Sequence, residues 1–480
     1  MSSARTIAKN AGFLFSTEII NKIISLVLVI IITRYLGSIG FGKYSFAFAF
    51  IGLVTMISHM GLTVYIFREI AKDKSKAESL VNNTLTLKFA ITIVSYLISV
   101  LIALAWPKTN EILPVILLVM VHELFNAFNT LMGIVFKAFE KNQFVFYYTS
   151  IERIFSLGFS AYVLMTGNGI YTLLLALIAS KLITSVYCYI VSYRKFVKLS
   201  LSFDYKMWHS LLTNSWPFWF TMIFQRIYYQ ISTVMLTAMK SYQATGWYNA
   251  SSTLITALTF IPSVITHATF PAMSRFHHTD SKDYLKRLYK QSFYYLLVIG
   301  IPISIGVSLL ANQIILWMYK EQFIESGKIL AISSVVIVLI FLNENMGYLL
   351  NSINKQKLFT ASTVICTTSA VILNIVLIPR FSYIGAAVAT VITQIISFGI
   401  LYYFTTKNNY PLNLIKISYK PIIAGIIMGA LVIYIKFMPV IYIIPLAAMG
   451  YFAALFVMGG FGKEEIDVVK SFIPWSGQKK

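Results

Sequence analysis

Along nearly the whole chain, apolar residues run on for roughly 20 positions at a time before a short polar break interrupts them, the length a helix needs to cross a bilayer. The pattern predicts spans near residues 12–36, 44–67, 86–106, 113–136, 146–166, 170–193, 211–239, 246–273, 291–316, 329–350, 358–379, 383–405, 419–438 and 440–461. An all-α polytopic membrane protein of about 14 helices follows. No break is long enough to fold as a soluble domain. The largest, near 194–210 and 274–290, are short and basic. The stretch DYLKRLYKQSFYYLL from Asp283 reads either as an amphipathic helix on the headgroups or as an extended start to the next span.

Composition sharpens this picture without changing it. Of 480 residues, 58% are hydrophobic and only 12% charged, a balance foreign to soluble domains. The net charge of +22 does not imply nucleic acid, which would need a basic patch on a soluble face; here the cations lie between apolar runs. Their placement sets the topology. Of 39 lysines and arginines, 27 fall on the side of the N-terminus and its even-numbered loops, and 8 on the other: Arg34, Lys43, Lys108, Lys240, Lys320, Lys328, Arg380 and Lys436. Cytoplasmic loops carry such an excess, so both termini are expected in the cytoplasm of a multi-pass protein of the inner or plasma membrane. Arg5 and Lys9 precede a first span too long for a signal peptide, which is read as an uncleaved helix. Cys188 and Cys366 sit singly in apolar runs as structural thiols, and neither a metal nor a cofactor is expected.

A repeat lies within the apolar pattern. Shifted by 204 residues, NAGFLFSTEIINKIIS from Asn10 falls on NSWPFWFTMIFQRIYY from Asn214, so that Asn21 meets Gln225 and Lys22 meets Arg226. The same shift lays Gly42-Lys43-Tyr44 on Gly246-Trp247-Tyr248. A shift of 213 brings Lys141-Asn142-Gln143 onto Asn354-Lys355-Gln356 and Lys181 onto Gln394. Two six-helix units are therefore expected, an N-terminal lobe over 1–200 and a C-terminal lobe over 201–410, with helices 13 and 14 and a tail in 411–480. Six is even, so the copies share one orientation, and parallel repeats of this kind build transporters with a site at the repeat interface.

Four cations are left inside spans: Lys22, Arg153, Lys181 and Arg226, opposed by Glu18, Glu123, Glu152 and Glu344. Ionisable groups at membrane depth usually face a protein interior or a wet cavity. Glu18 stands one helical turn from Lys22, so pairing and proton coupling both stay open for it, as for Glu123 and Glu344. Pairing does not explain Arg226, flanked by Phe224, Gln225, Ile227 and Tyr228. Arginine offers phosphate a bidentate match and lysine a point charge, so Lys22 and Arg226, with Asn21 and Gln225 beside them and Lys181 and Arg153 nearby, suit an anionic headgroup. Trp216, Trp219, Phe220, Tyr228 and Tyr229 read either as interfacial aromatics or as stacking surfaces for sugars.

RYLGSIGFGKYSFAFAF from Arg34 and MGLTVYIFREIAKD from Met60 closely resemble the N-terminal part of polysaccharide-export proteins, the Wzx-like oligosaccharide flippases. Their superfamily also holds the multidrug and toxin extruders and the lipid II flippases. The resemblance implies a V-shaped, two-lobed protein that moves polyprenyl-pyrophosphate-linked oligosaccharides to the outer leaflet by alternating access through a cationic cavity. The implied partners are that lipid-linked substrate, membrane lipids and a glycan polymerase or ligase, with the transporter itself monomeric and no nucleic acid involved. Three rivals remain. An extruder of organic cations, acting as an antiporter, would favour an acidic cavity, and a lipid II-type flippase differs only in cargo. A membrane enzyme would need paired acid and base groups or a metal-binding acidic motif, and the sequence holds neither.

Overall fold

A lipid-facing backbone must satisfy every N–H and C=O within itself, which only helices and closed barrels achieve. The computed structural model is correspondingly helical. It describes the backbone of residues 2–460 except 60, 168, 279 and 280, and side chains from residue 21 onward except 59, 217, 218, 221 and 278. The helices are α1 (Ser2–Val54), α2 (Leu62–Lys72), α3 (Ala77–Ala105), α4 (Leu113–Ala138), α5 (Asn142–Thr166), α6 (Gly169–Lys195), α7 (Tyr205–Met239) and α8 (Tyr242–Ala257). They continue as α9 (Phe260–His278), α10 (Lys282–Tyr319), α11 (Ile324–Ser333), α12 (Val335–Ser352), α13 (Gln356–Lys407), α14 (Leu414–Tyr434) and α15 (Val440–Val457).

Each of the fourteen predicted spans has its helical counterpart. The two longest helices cross twice. α1 is broken at Gly37, which takes φ +64°, and α13 at Ser382, three residues after Pro379. A left-handed φ suits glycine and strains most other residues, so Gly37 marks a built turn. Its repeat position, Ser241, also ends one helix and caps the next, accepting a hydrogen bond from the Ala244 N–H. Among the described residues, ten helical segments are long and apolar enough to cross a membrane; α5 and α7 fall outside that set on composition. The stretch from Asp283 is the extended start of a continuous 38-residue helix, α10.

Within the N-terminal half, α1 packs on α5, and α6 on both α4 and α5; in the C-terminal half, α7 packs on α13, and α13 on α12. The halves meet where the second part of α1 crosses α8. There the repeat becomes geometry. A Cβ on Gly42 would overlap the carbonyl oxygen of Tyr242, and one on Gly246 would overlap that of Ser38. Ser38 and Tyr242 are themselves one 204-residue shift apart, so the two contacts are mates across a pseudo-two-fold axis, as in an isologous interface.

The same end is clasped by two side chains of the N-terminal half that reach across to the C-terminal half. Lys108 Nζ donates to the carbonyls of Thr237, Ala238 and Lys240 at 2.9, 3.1 and 2.9 Å, capping the last turn of α7. Arg34 caps α10 in the same way, donating to Trp317 and Met318 carbonyls. A cation at a helix C-terminus meets the negative end of the dipole, which stabilises by about 0.3–2 kcal/mol each. Nearby, Lys328 and the Tyr383 hydroxyl donate to Glu325 and hold its carboxyl below the usual carboxylate range.

Beyond the repeat, α14 and α15 pack on α10, where Gly425 and Gly429 admit Ile301, Ile305 and Leu309. Both cysteines are buried and free. One cation departs from the sequence map. Lys88, counted there with the loop cations, lies inside α3 and is buried.

Candidate functional site

Between the halves lies a cavity of about 320 Å³. Lys22 and Ser25 of α1 reach it from one side, while Tyr228, Tyr229, Ser232 and Thr233 of α7, Asn249 and Ser252 of α8, and Asn374 and Gln394 of α13 close the other. A second chamber of about 330 Å³ shares Tyr228, Tyr229 and Gln394 with the first and adds Gln225, Asn343 and Glu344. The chambers form one tract along α7, into which hydroxyl, phenol and amide groups project between apolar side chains. Its hydrogen bonds are internal: Gln394 Nε2 donates to the Tyr228 hydroxyl at 2.7 Å, Asn343 Nδ2 to Gln394 Oε1 at 2.8 Å, and Thr233 to Asn249 Oδ1 at 3.0 Å. Glu344 accepts from Ser263 at 3.1 Å.

A third cavity, about 180 Å³, belongs to the N-terminal half and joins Asn21, Asn126, Asn129, Tyr148, Glu152, Arg153 and Lys181. Asn21 and Lys22 are adjacent on α1 and point into different cavities, which makes that turn the wall between them. Lys181 is not a free cation. Its ammonium stands 2.9 Å from Glu152 Oε1 and donates to Asn126 Oδ1 at 2.7 Å. Asn126 in turn donates to Glu123, whose other oxygen meets His122 Nδ1 at 3.1 Å. The pair is buried on both sides.

Breaking one side of such a pair leaves an unmatched buried charge and costs about 3–5 kcal/mol, whereas replacing both is often neutral. Glu152→Gln and Lys181→Met should therefore each lower the melting temperature in detergent, and the double variant should recover most of it. Should Lys181→Met alone melt like the parent yet fail to transport, the lysine is a ligand for cargo and not a partner for Glu152.

Arg226 sits elsewhere. It is exposed, and Nε donates to the Gly52 carbonyl of α1 at 3.2 Å, so it reaches across the seam between halves. Among the described residues no carboxylate pairs with it, and none pairs with Lys22. The Glu18 side chain lies outside the described residues. Trp219 also crosses the seam, donating to the Met56 carbonyl at 3.0 Å. Trp216 and Phe220 are exposed; Tyr228 and Tyr229 line the cavity, Tyr229 with its side chain also exposed. Among the described residues no cluster of His, Cys, Asp and Glu could hold a metal.

Sequence reasoning passed over much of the polar lining. Tyr248, Asn249, Ser252, Thr253 and Thr256 all line the first chamber. Their spacing of one, three or four positions puts them on one helical face. That stripe within an apolar span was the available signal.

A helical membrane protein with two parallel repeats, a cross-lobe seam and a polar tract between lobes defines a transporter of the flippase and multidrug-extruder architecture. The chain belongs to the polysaccharide biosynthesis protein family, whose model matches residues 7–277, and residues 217–378 also match the MatE family. It is 27% identical over 179 residues to the probable flippase AglR of Haloferax volcanii, covering 37% of each chain. It is 26% identical over 140 residues to that organism's probable low-salt glycan biosynthesis flippase Agl15, covering 29% of this chain and 30% of that one. The chain thus spans well under half the length of either. Among solved structures, the lipid II flippase MurJ in an inward closed conformation superposes with a TM-score of 0.78 at 16% identity, over 95% of this chain and 99% of that one. An inward-facing multidrug transporter of the MATE family gives 0.66 at 14% identity, over 81% and 94%. The resemblance drawn from the N-terminal motifs holds for family and fold.

Proposed function

We propose that this transporter flips a polyprenyl-pyrophosphate-linked oligosaccharide from the cytoplasmic to the outer leaflet. The observation that carries the reading is a pair of cations, Lys22 in the central cavity and Arg226 at the seam, with no carboxylate on either among the described residues. A pyrophosphate supplies what a guanidinium and an ammonium lack. Tyr228 and Tyr229 offer ring faces to sugars, and the hydroxyls and amides of Ser232, Asn249 and Asn374 offer hydrogen bonds. The AglR and Agl15 names, both flippases and one tied to glycan biosynthesis, support the cargo class.

In this reading residues 1–200 and 201–410 are the two lobes, which rock about the Gly42–Gly246 crossing. The clasp made by Lys108 and Arg34 closes the outer end, and both termini are cytoplasmic. The protein works as a monomer and hands its product to a polymerase or ligase. Complementation of a flippase-null strain tests this. Export should be restored and the accumulated lipid-linked sugar cleared, and an active-looking but unchanged pool on the cytoplasmic side would refute the reading. In the same cells, a cysteine placed at Lys436 should react with an impermeant maleimide and one at Ser200 should not.

A further inference from the structure

A fourth cavity opens away from the polar tract. It measures about 370 Å³ and is formed by α3, α4 and α6 of the N-terminal half. Phe125 and Phe128 give it apolar walls, and Phe89, Val186 and Tyr189, all exposed, give it a rim on the outer surface of the bundle. Set into these walls is Lys88. It is 4% exposed, and its ammonium has no hydrogen-bond partner among the described residues. A buried cation ordinarily carries a partner, as Lys181 of this half does in Glu152 and Asn126.

Depth narrows what fills the cavity. A bilayer core takes about 20 helical residues. Counted back from Ala105, at whose end Trp106 stands, the opposite hydrocarbon boundary of α3 falls close to Lys88. Counted forward from Gly169, the boundary of α6 falls close to Tyr189. The pocket thus sits where a lipid's phosphate meets its acyl chains. The loops beside it carry Lys74, Lys76, Lys137, Lys141, Lys195 and Lys198, which draw anionic lipid to that leaflet.

We propose that this lateral pocket binds an anionic phospholipid of the surrounding leaflet, with acyl chain against Phe125 and Phe128 and phosphate on Lys88. The lysine stem is flexible enough to swing its ammonium from the wall to the headgroup. Ser185 carries the consequence inward. It lines the pocket and donates to Asn129 Oδ1 at 2.8 Å, while Asn129 donates to the Lys181 carbonyl, so the lipid site abuts the charged cavity of this half. The proposal is independent of which cargo is flipped.

Native mass spectrometry and thermal stability in phosphatidylglycerol against phosphatidylcholine test it. The parent protein should retain one phosphatidylglycerol selectively and melt higher with it. Lys88→Met should fold, lose that lipid at least tenfold and become indifferent to headgroup, while Lys88→Arg should keep it. Val186→Trp, which blocks the rim and leaves the lysine in place, should lose it too. Equal retention of both phospholipids by the parent, or retention of phosphatidylglycerol by Lys88→Met, would overturn the proposal. Displacement of the bound phospholipid by equimolar undecaprenyl phosphate would overturn it in favour of the isoprenoid carrier.

Discussion

Arg226→Ala should abolish glycan export while leaving the protein folded and inserted. The guanidinium has five N–H donors, its side chain is exposed, and one hydrogen bond is described for it, to the Gly52 carbonyl. Little stability is at stake. If its remaining donors hold pyrophosphate, two charge-assisted bonds of about 1.5–3 kcal/mol each disappear, a loss of roughly a hundredfold or more in transport. Arg226→Lys should recover only part, since charge survives and the planar fork does not. Gly52→Ala is a companion that removes no charge: a Cβ there would overlap the guanidinium, so export should fall because the arginine is displaced. Lys22 needs a paired design. Glu18→Gln with Lys22→Gln is neutral overall; normal export by that double variant would make Lys22 only a structural partner, and a folded but inactive protein would make it a ligand. Normal export by Arg226→Ala would refute the headgroup site.

The second large effect is expected at the crossing of the halves. Gly42→Val and Gly246→Val each drive a branched side chain into a backbone carbonyl that cannot move without its helix. The halves must separate at that end, so the Lys108 bonds to the last turn of α7 should break as well. Transport should fall below detection, and a cysteine at Thr237 should become reactive to an impermeant maleimide. Because the two contacts are equivalent, either variant alone should act like the other. A strong phenotype at one glycine with none at its mate would contradict the pseudo-symmetric crossing.

The helices were legible because hydropathy and length are local properties, and the repeat because matched polar positions survive in apolar surroundings. The ion pairing was not. Lys181 finds Glu152 from another helix, 29 residues away, and no pattern along either span announces the meeting. Lys88 was misplaced for a related reason. A lysine near the end of an apolar run reads as loop, and only packing shows its ammonium enclosed. Tyr228 and Tyr229 were left between two roles because an aromatic residue near a membrane edge has the same sequence signature whether it faces lipid or a cavity.

The two helices too polar to pass as membrane spans, α5 and α7, are those that carry Arg153 and Arg226. This has a consequence for biogenesis. A charged residue at the middle of an isolated helix raises its insertion free energy by about 2.5–3.5 kcal/mol, so neither helix is expected to leave the translocon unaided. For α5 the help is prompt, since α1 and α4 have already emerged and α6 follows at once. For α7 it is late: its main partner, α13, is synthesised more than a hundred residues afterwards. Until then the nascent α7 has α1, α2 and α3 before it and α8 close behind it to lean on, so its insertion is expected to be completed later than that of α5.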